Sequence, residues 1–283
     1  MILLNIFRCV VLCRIPKKGF IIMKKIISFI LALSLLAVCA VSFASCGKED
    51  ENVLKMATNA AFPPYEFYDE GEKIVGIDAE IAELIAKDLG MKLEIVDTEF
   101  DSIITGVTEG KYDFGMAGMT VTEDRLKSVN FSTSYAKGVQ VIIVKNDSPI
   151  TSIDDLSAEG ATYKIGVQQG TTGDIYASDT PENGGFGEER VTSFNTGAEA
   201  VLALTTGKVD CVIIDNEPAK SYVKTNEGLK ILDTKYVEED YAICVSKTNE
   251  DLLKKINDSL KKNTENGEIQ KIIDKYIKAD SAE

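Results

Sequence analysis

From Val53 onward the hydrophobic period of the sequence keeps switching, and this limits the fold classes open to it. Val53–Thr58 alternates as a short strand, and residues 59–67 hold Pro63 and Pro64, which stiffen a loop and exclude helix. Ile77, Ile81, Leu84, Ile85 and Leu89 then recur at helical spacing, and Gly90 stands where a C-terminal cap belongs. Residues 91–96 read as a strand, 101–109 as a helix ended by Gly110, and 112–116 as a strand running toward Ala117-Gly118-Met119-Thr120. Strand and helix in alternation predict an α/β sandwich with parallel strands.

One supersecondary unit occurs twice. Residues 104–119 match residues 201–216 at an offset of 97, with Gly110, Lys111 and Asp113 aligned to Gly207, Lys208 and Asp210. The match is short, and it points to two lobes built on one plan. In that alignment Ala117 and Gly118 meet Ile214 and Asp215, so both strands offer their C-terminal ends to one crevice, where open α/β sheets bind ligands.

The N-terminus lies outside this plan. Residues 23–46 run from Met23-Lys24-Lys25 through an apolar stretch to Ala44-Ser45-Cys46, the layout of a secretion signal. The apolar run is shorter than the roughly 20 residues of a membrane span, so cleavage is expected rather than anchoring by a helix. Cys46 after small residues resembles a bacterial lipoprotein signal, in which that cysteine is lipidated; Phe43 departs from the usual Leu. Residues 1–22 hold a second apolar and basic stretch, and Met23 is the better start.

The first 45 residues hold six basic and no acidic residues, so the remainder carries 25 basic against 45 acidic. Such an acidic chain is not a nucleic-acid binder, because phosphate contact needs clustered Lys and Arg. It has no His, which excludes Ser-His-Asp and Cys-His catalysis and every His-ligated metal. No metal or cofactor is expected. Cys211 and Cys244 sit in apolar strand-like runs and are expected as buried thiols rather than a disulfide.

After residue 45 only two arginines remain, Arg125 and Arg190. Arg125 follows Thr122, Glu123 and Asp124, which read as a helix cap and first turn. A guanidinium there can grip a carboxylate through two parallel hydrogen bonds, although an ion pair with its acidic neighbours is an equal alternative. Arg190 reads as a solvated surface residue. Asp215 closes an apolar strand ahead of Asn216-Glu217-Pro218, as a helix cap or as a carboxylate facing the crevice. With Arg125 it would complement a zwitterion. Residues 165–173 form a strand running into a Gly-rich helix start, an anion site without the Lys of a nucleotide loop.

The residues 57–67, 76–81, 100–104, 117–125 and 130–132, then 166–172 and 210–215, together resemble the polar amino-acid-binding proteins of ABC importers (extracellular solute-binding protein family 3). The resemblance covers nearly all of the chain beyond the signal, and Ala79 departs from a larger aliphatic residue. It implies an α/β, two-lobed clamp of the type 2 periplasmic-binding-protein kind, each lobe a mixed sheet flanked by helices, with two hinge crossings. Residues 53–134 plus 242–283 would form lobe 1, 140–236 lobe 2, and 135–139 with 237–241 the hinge; 1–45 would be the signal and 46–52 a lipid-anchored tether. Arg125 would hold the ligand carboxylate with the Thr120 and Thr172 N–H groups. Asp215, the Gly118 carbonyl and the Thr120 hydroxyl would hold the ammonium, and Phe62 and Phe100 would sandwich the side chain. Ala117 lies in the same motif. Asn59 and Gln168 occupy specificity positions and are uncharged, so an uncharged polar amino acid is expected unless Glu66 reaches the pocket. The expected partners are a free amino acid, a permease and the membrane lipid that Cys46 enters, with the protein a monomer outside the cytoplasmic membrane. Rival readings are an enzyme of the same fold, a cyclohexadienyl-type dehydratase, and a ligand-sensing module.

Overall fold

The computed structural model describes residues 52–233 and 236–277. The signal at 1–45, Cys46 and the tether up to Glu51 lie outside the described residues. β1 (Val53–Thr58) opens the fold, and β2 (Ala61–Phe62), β3 (Glu66–Tyr68) and β4 (Ile74–Val75) form a small antiparallel unit around the two prolines. α1 (Ile77–Leu89) stops at Gly90, whose φ of 70° is left-handed and disfavours a side chain. β5 (Lys92–Asp97) follows, then a 3-10 turn (Phe100–Ser102), α2 (Ile103–Thr108), β6 (Phe114–Gly115), α3 (Glu123–Ser128) and β7 (Val129–Phe131). The first sheet has the order β5, β1, β6 plus a late strand, β14 (below), and β7.

The second sheet is built from β8 (Ala136–Lys145), with α4 (Ile153–Ser157), β9 (Ile165–Gln168), α5 (Thr172–Ser178), β10 (Val191–Phe194), α6 (Gly197–Thr205), β11 (Cys211–Asp215), α7 (Asn216–Thr225) and β12 (Leu229–Ile231). The chain returns through β13 (Glu238–Tyr241) to β14 (Cys244–Ser246) in the first sheet, and ends on α8 (Glu250–Glu265) and α9 (Glu268–Tyr276). None of the described helices is long and apolar enough to cross a membrane.

The two sheets share one plan. β5-β1-β6 and β10-β9-β11 are parallel triplets, and each is extended by an antiparallel strand, β14 or β8. The repeat is reproduced bond by bond. Gly110 and Gly207 both turn with φ 75°. Lys111 N donates to Gly106 O at 2.9 Å and Lys208 N to Ala203 O at 2.8 Å. The Asp113 carboxylate accepts from Lys55 N and that of Asp210 from Lys164 N, each at 2.7 Å. An αL glycine ends the helix, and an aspartate ties the turn to the neighbouring strand, so the short motif encodes a helix-to-strand passage twice.

Each sheet is covered on both faces, which is why parallel strands are stable here. In the first, Ile77, Ile81 and Ile85 of α1 pack with Leu54 and Met56, while Ile103 and Val107 of α2 pack with Ala57 and Cys244 on the opposite face. In the second, β8 sends Val141 and Ile143 to one core and Ile142 and Val144 to the other, the period of two expected of a strand. β8 also runs past its sheet. Residues 136–139 pair with β13, so the two passages of the chain between the sheets form one antiparallel ribbon.

Some local readings shift. The helix read at 101–109 opens as a 3-10 turn, and the strand at 112–116 shrinks to two residues because Asp113 is held in the turn. Arg190 is not a free surface group: Nε donates to Tyr163 O at 3.1 Å, Nη1 to Leu156 O at 2.8 Å, and the guanidinium lies over the Phe186 ring. Cys211 and Cys244 are free and buried in different sheets, each thiol pushed up to about 12 by burial.

Candidate ligand-binding site

A cleft holding about 320 Å³ of empty space, open solvent at its mouth included, lies where the strand ends of the two sheets meet. The lining brings together Asn59, Phe62, Phe100, Ala117, Gly118, Thr120, Arg125, Gln168, Thr172 and Asp215, all ten sequence-derived positions, and adds Glu66 and Thr171.

Arg125 is buried at the start of α3, where Thr122 caps the helix by accepting from Arg125 N at 3.2 Å. Its guanidinium donates to Thr120 O at 2.7 Å and to Gly170 O at 3.0 Å, and sits 5.3 Å from the Phe100 ring centre. Among the described residues it forms no salt bridge, so the ion pair with Glu123 or Asp124 is not made. Burial lowers its pKa, opposed first by the charge of Glu239. Part of its five-donor fork stays unused and faces the cavity.

Asp215 sits at the N-terminal end of α7 without capping it. Its carboxylate instead accepts from Gln140 Nε2 at 2.9 Å and from the Tyr241 hydroxyl. Burial, then the charge of Glu239, pushes it up to about 7 against those two bonds. Tyr241 reaches this place by lying across Gly138, where an added Cβ would sit 2.0 Å from its hydroxyl.

The aromatic wall depends on a glycine. Gly118 has φ 52°, and a Cβ there would come within 2.7 Å of the Phe62 ring. Its N–H donates to Asp78 Oδ2 at 2.9 Å, and the same oxygen accepts from the Tyr135 hydroxyl at 2.8 Å. The two uncharged specificity positions use much of each other: Gln168 Nε2 donates to Asn59 Oδ1 at 2.9 Å, and Asn59 Nδ2 to Thr98 O at 2.9 Å.

Glu66 is 1% exposed, and neither of its oxygens has a hydrogen bond of standard geometry. Burial, then the neighbouring Asp78 charge and a hydrogen bond shared with the Asp78 carboxyl, pushes its carboxyl well above the usual range; burial carries Asp78 up to about 6 against its hydrogen bonds to Gly118, Tyr135 and Glu66. Two buried carboxyls side by side share a proton, and ionising both costs stability unless a cation arrives. The sequence signal for it was an acid inside the aromatic run Tyr65-Glu66-Phe67. Thr171, Gln140, Glu239 and Tyr241 were missed; a lone amide in the apolar run of β8 marks Gln140.

The cleft is closed by bonds across it besides that of Arg125. Tyr222 donates to Ala61 O at 2.6 Å, and Gln169 Nε2 to Asp101 Oδ2 at 2.9 Å.

Residues 54–279 match the family model of bacterial extracellular solute-binding proteins, family 3. The chain belongs to that family. It is 35% identical over 257 residues to the arginine-binding extracellular protein ArtP of Bacillus subtilis, covering 87% of this chain and 97% of the relative. Among solved structures, an ancestral arginine-binding protein bound to arginine aligns with a TM-score of 0.73 at 40% identity, over 80% of this chain and 99% of that one. An ancestral arginine-binding protein bound to glutamine aligns at 0.74 and 39% identity, over 81% and 99%. The fold of this family 3 protein is therefore the two-lobed, type 2 clamp, one main sheet in each lobe.

Proposed function

We propose that this family 3 protein is the amino-acid receptor of an ABC importer and that its ligand has a cationic side chain. The observation that carries the reading is one cavity walled by Arg125 from the first sheet's side, Asp215 from the second, and Glu66, a buried acid with no basic partner beside it. In this reading Arg125 takes the α-carboxylate, Asp215 and Thr120 take the α-ammonium, Phe62 and Phe100 flank the aliphatic stem, and Glu66 meets the distal cation. Glu66 supplies the counter-ion that Asn59 and Gln168 cannot, so the reading departs from the uncharged ligand expected of those two positions alone. The arginine-binding relatives support it.

The lobes assigned are 53–134 with 242–283, and 140–236, bending at 135–139 and 237–241. Ligand docks on the first lobe, the second closes over it, and the closed form is presented to a permease. A lipid at Cys46 would hold the monomer at the outer face of the cytoplasmic membrane. No reaction is assigned.

Calorimetric titration with L-arginine, L-lysine, L-histidine and L-glutamine tests this, followed by chromatography of the recovered ligand. A cationic amino acid should bind at least about tenfold tighter than glutamine, the value of one charge-assisted hydrogen bond, and be recovered unchanged. Preference for glutamine would remove the role of Glu66, and an altered product would make the protein an enzyme.

A further inference from the structure

β13 carries a buried carboxylate, Glu239, that does not line the cavity. Its Oε2 accepts from the Thr120 hydroxyl at 3.0 Å and from Gln140 Nε2 at 3.1 Å. The same Gln140 nitrogen donates to Asp215 Oδ2 at 2.9 Å. Facing two carboxylates, the Gln140 amide must present its NH2 group to both. Oε1 makes no hydrogen bond of standard geometry, and the nearby Tyr176 hydroxyl is raised by burial first, then by the Glu239 charge and a hydrogen bond to it. Of the charged groups, Glu239 acts most strongly on both Arg125 and Asp215.

A hydroxyl has a single proton. With that proton directed at Glu239, the Thr120 oxygen can only accept from whatever enters the cavity. Asp215, fixed by Gln140 and Tyr241, also only accepts once it is ionised. An ammonium brings three donors to such a pair, whereas a hydroxyl brings one.

We propose that Glu239 is a positioning residue that sets the hydrogen-bond polarity of the ammonium site, holding Thr120 and, through Gln140, Asp215 as acceptors so that the cavity selects an amine over a hydroxyl. This rests on the amino-acid reading above. It makes selectivity at the α-position a property of the ribbon that joins the lobes, not of the cavity wall alone.

The test is the affinity ratio of L-arginine to its α-hydroxy analogue, 2-hydroxy-5-guanidinopentanoate, measured by calorimetry on the purified protein. Glu239→Met removes the acceptor, frees the Thr120 proton to turn inward, and should lower the ratio about tenfold or more, the cost of one buried polar group left unsatisfied. Glu239→Gln keeps an oxygen for both protons and should hold the ratio within about threefold, less than one neutral hydrogen bond can shift. Should Glu239→Met fail to fold, Glu239→Asp, which draws the carboxylate back by one methylene, takes its place with the same expectation. An unchanged ratio in the methionine or aspartate variant overturns the proposal. So does an equal fall in the glutamine variant, which would assign the effect to charge. A wild-type protein that binds arginine while the ratio stays fixed sinks only the role of Glu239; one that binds no amino acid sinks both readings. The same comparison with L-glutamine and its hydroxy analogue serves if the neutral side chain is preferred.

Discussion

Arg125 reaches across the cleft to the carbonyl oxygen of Gly170 at 3.0 Å, so the residue read as the carboxylate clamp also ties the two lobes together. The guanidinium is buried with carbonyl oxygens as its bonded partners, a costly state for a full positive charge unless an anion arrives. Arg125→Ala should therefore weaken amino-acid binding by about 2 to 5 kcal/mol, since it leaves the ligand carboxylate buried and unpaired. A calorimetric loss below about tenfold, or 1.4 kcal/mol, speaks against the clamp. Arg125→Lys should recover little, because one ammonium cannot reproduce the fork.

In the proposed reading Glu66 sets the class of side chain. Glu66→Gln should cost a cationic amino acid roughly 10- to 100-fold in affinity, the range of a hydrogen bond to a charged group, and leave glutamine nearly unaffected. Equal losses for both ligands in parallel titrations would show that Glu66 serves the fold rather than the ligand.

Tyr222 lies outside the cavity lining, yet its hydroxyl bonds Ala61 O at 2.6 Å across the cleft. Tyr222→Phe keeps the ring and removes that bond. Ligand affinity should drop about 2- to 10-fold, one hydrogen bond's worth of closed state, with little change in thermal unfolding of the empty protein. Stopped-flow fluorescence should assign the drop to faster release. Unchanged dissociation would mean that this contact does not latch the clamp.

Affinity should depend on pH through Asp215, which burial raises from an ordinary value of 3.8 to about 7. The charged form binds an ammonium, so affinity for the zwitterion should rise from pH 5 to about 7 and then level off. Stability of the empty protein runs the other way. Between pH 3.8 and about 7 the folded state holds a proton that the unfolded state has lost, so stability falls as pH rises through this window. Asp78, raised to about 6, has the same sign. Asp215→Asn should flatten the affinity profile; a mutant profile as steep as wild type would place the titration elsewhere.

Much of the fold was legible because it rests on local signals. The spacing from Ile77 to Leu89 and the cap at Gly90 mark α1 almost to the residue, and Gly110/Asp113 with Gly207/Asp210 mark two equivalent turns. Arg125 and Asp215 were legible from their residue types and the internal repeat, whereas Phe62, Phe100, Asn59 and Gln168 came through family resemblance, since nothing in their spacing brings them together; only the folded sheets do. Asp215 looked like a helix cap by position, but its partners Gln140 and Tyr241 lie 75 residues before it and 26 after. Glu239 was hidden for the same reason. A charged residue on a short strand normally faces water, and its burial follows from β13 pairing with β8 under the cavity. Arg190 was misread because the carbonyl groups it serves belong to segments about thirty residues earlier.

A crystal structure of the protein with L-arginine is the most direct measurement. The expected complex has the α-carboxylate within hydrogen-bonding distance of the Arg125 guanidinium, the α-ammonium on Asp215 and Thr120, and the side-chain cation at Glu66. A ligand bound outside this cavity, or seated in it with its ammonium turned toward Arg125, would contradict the account.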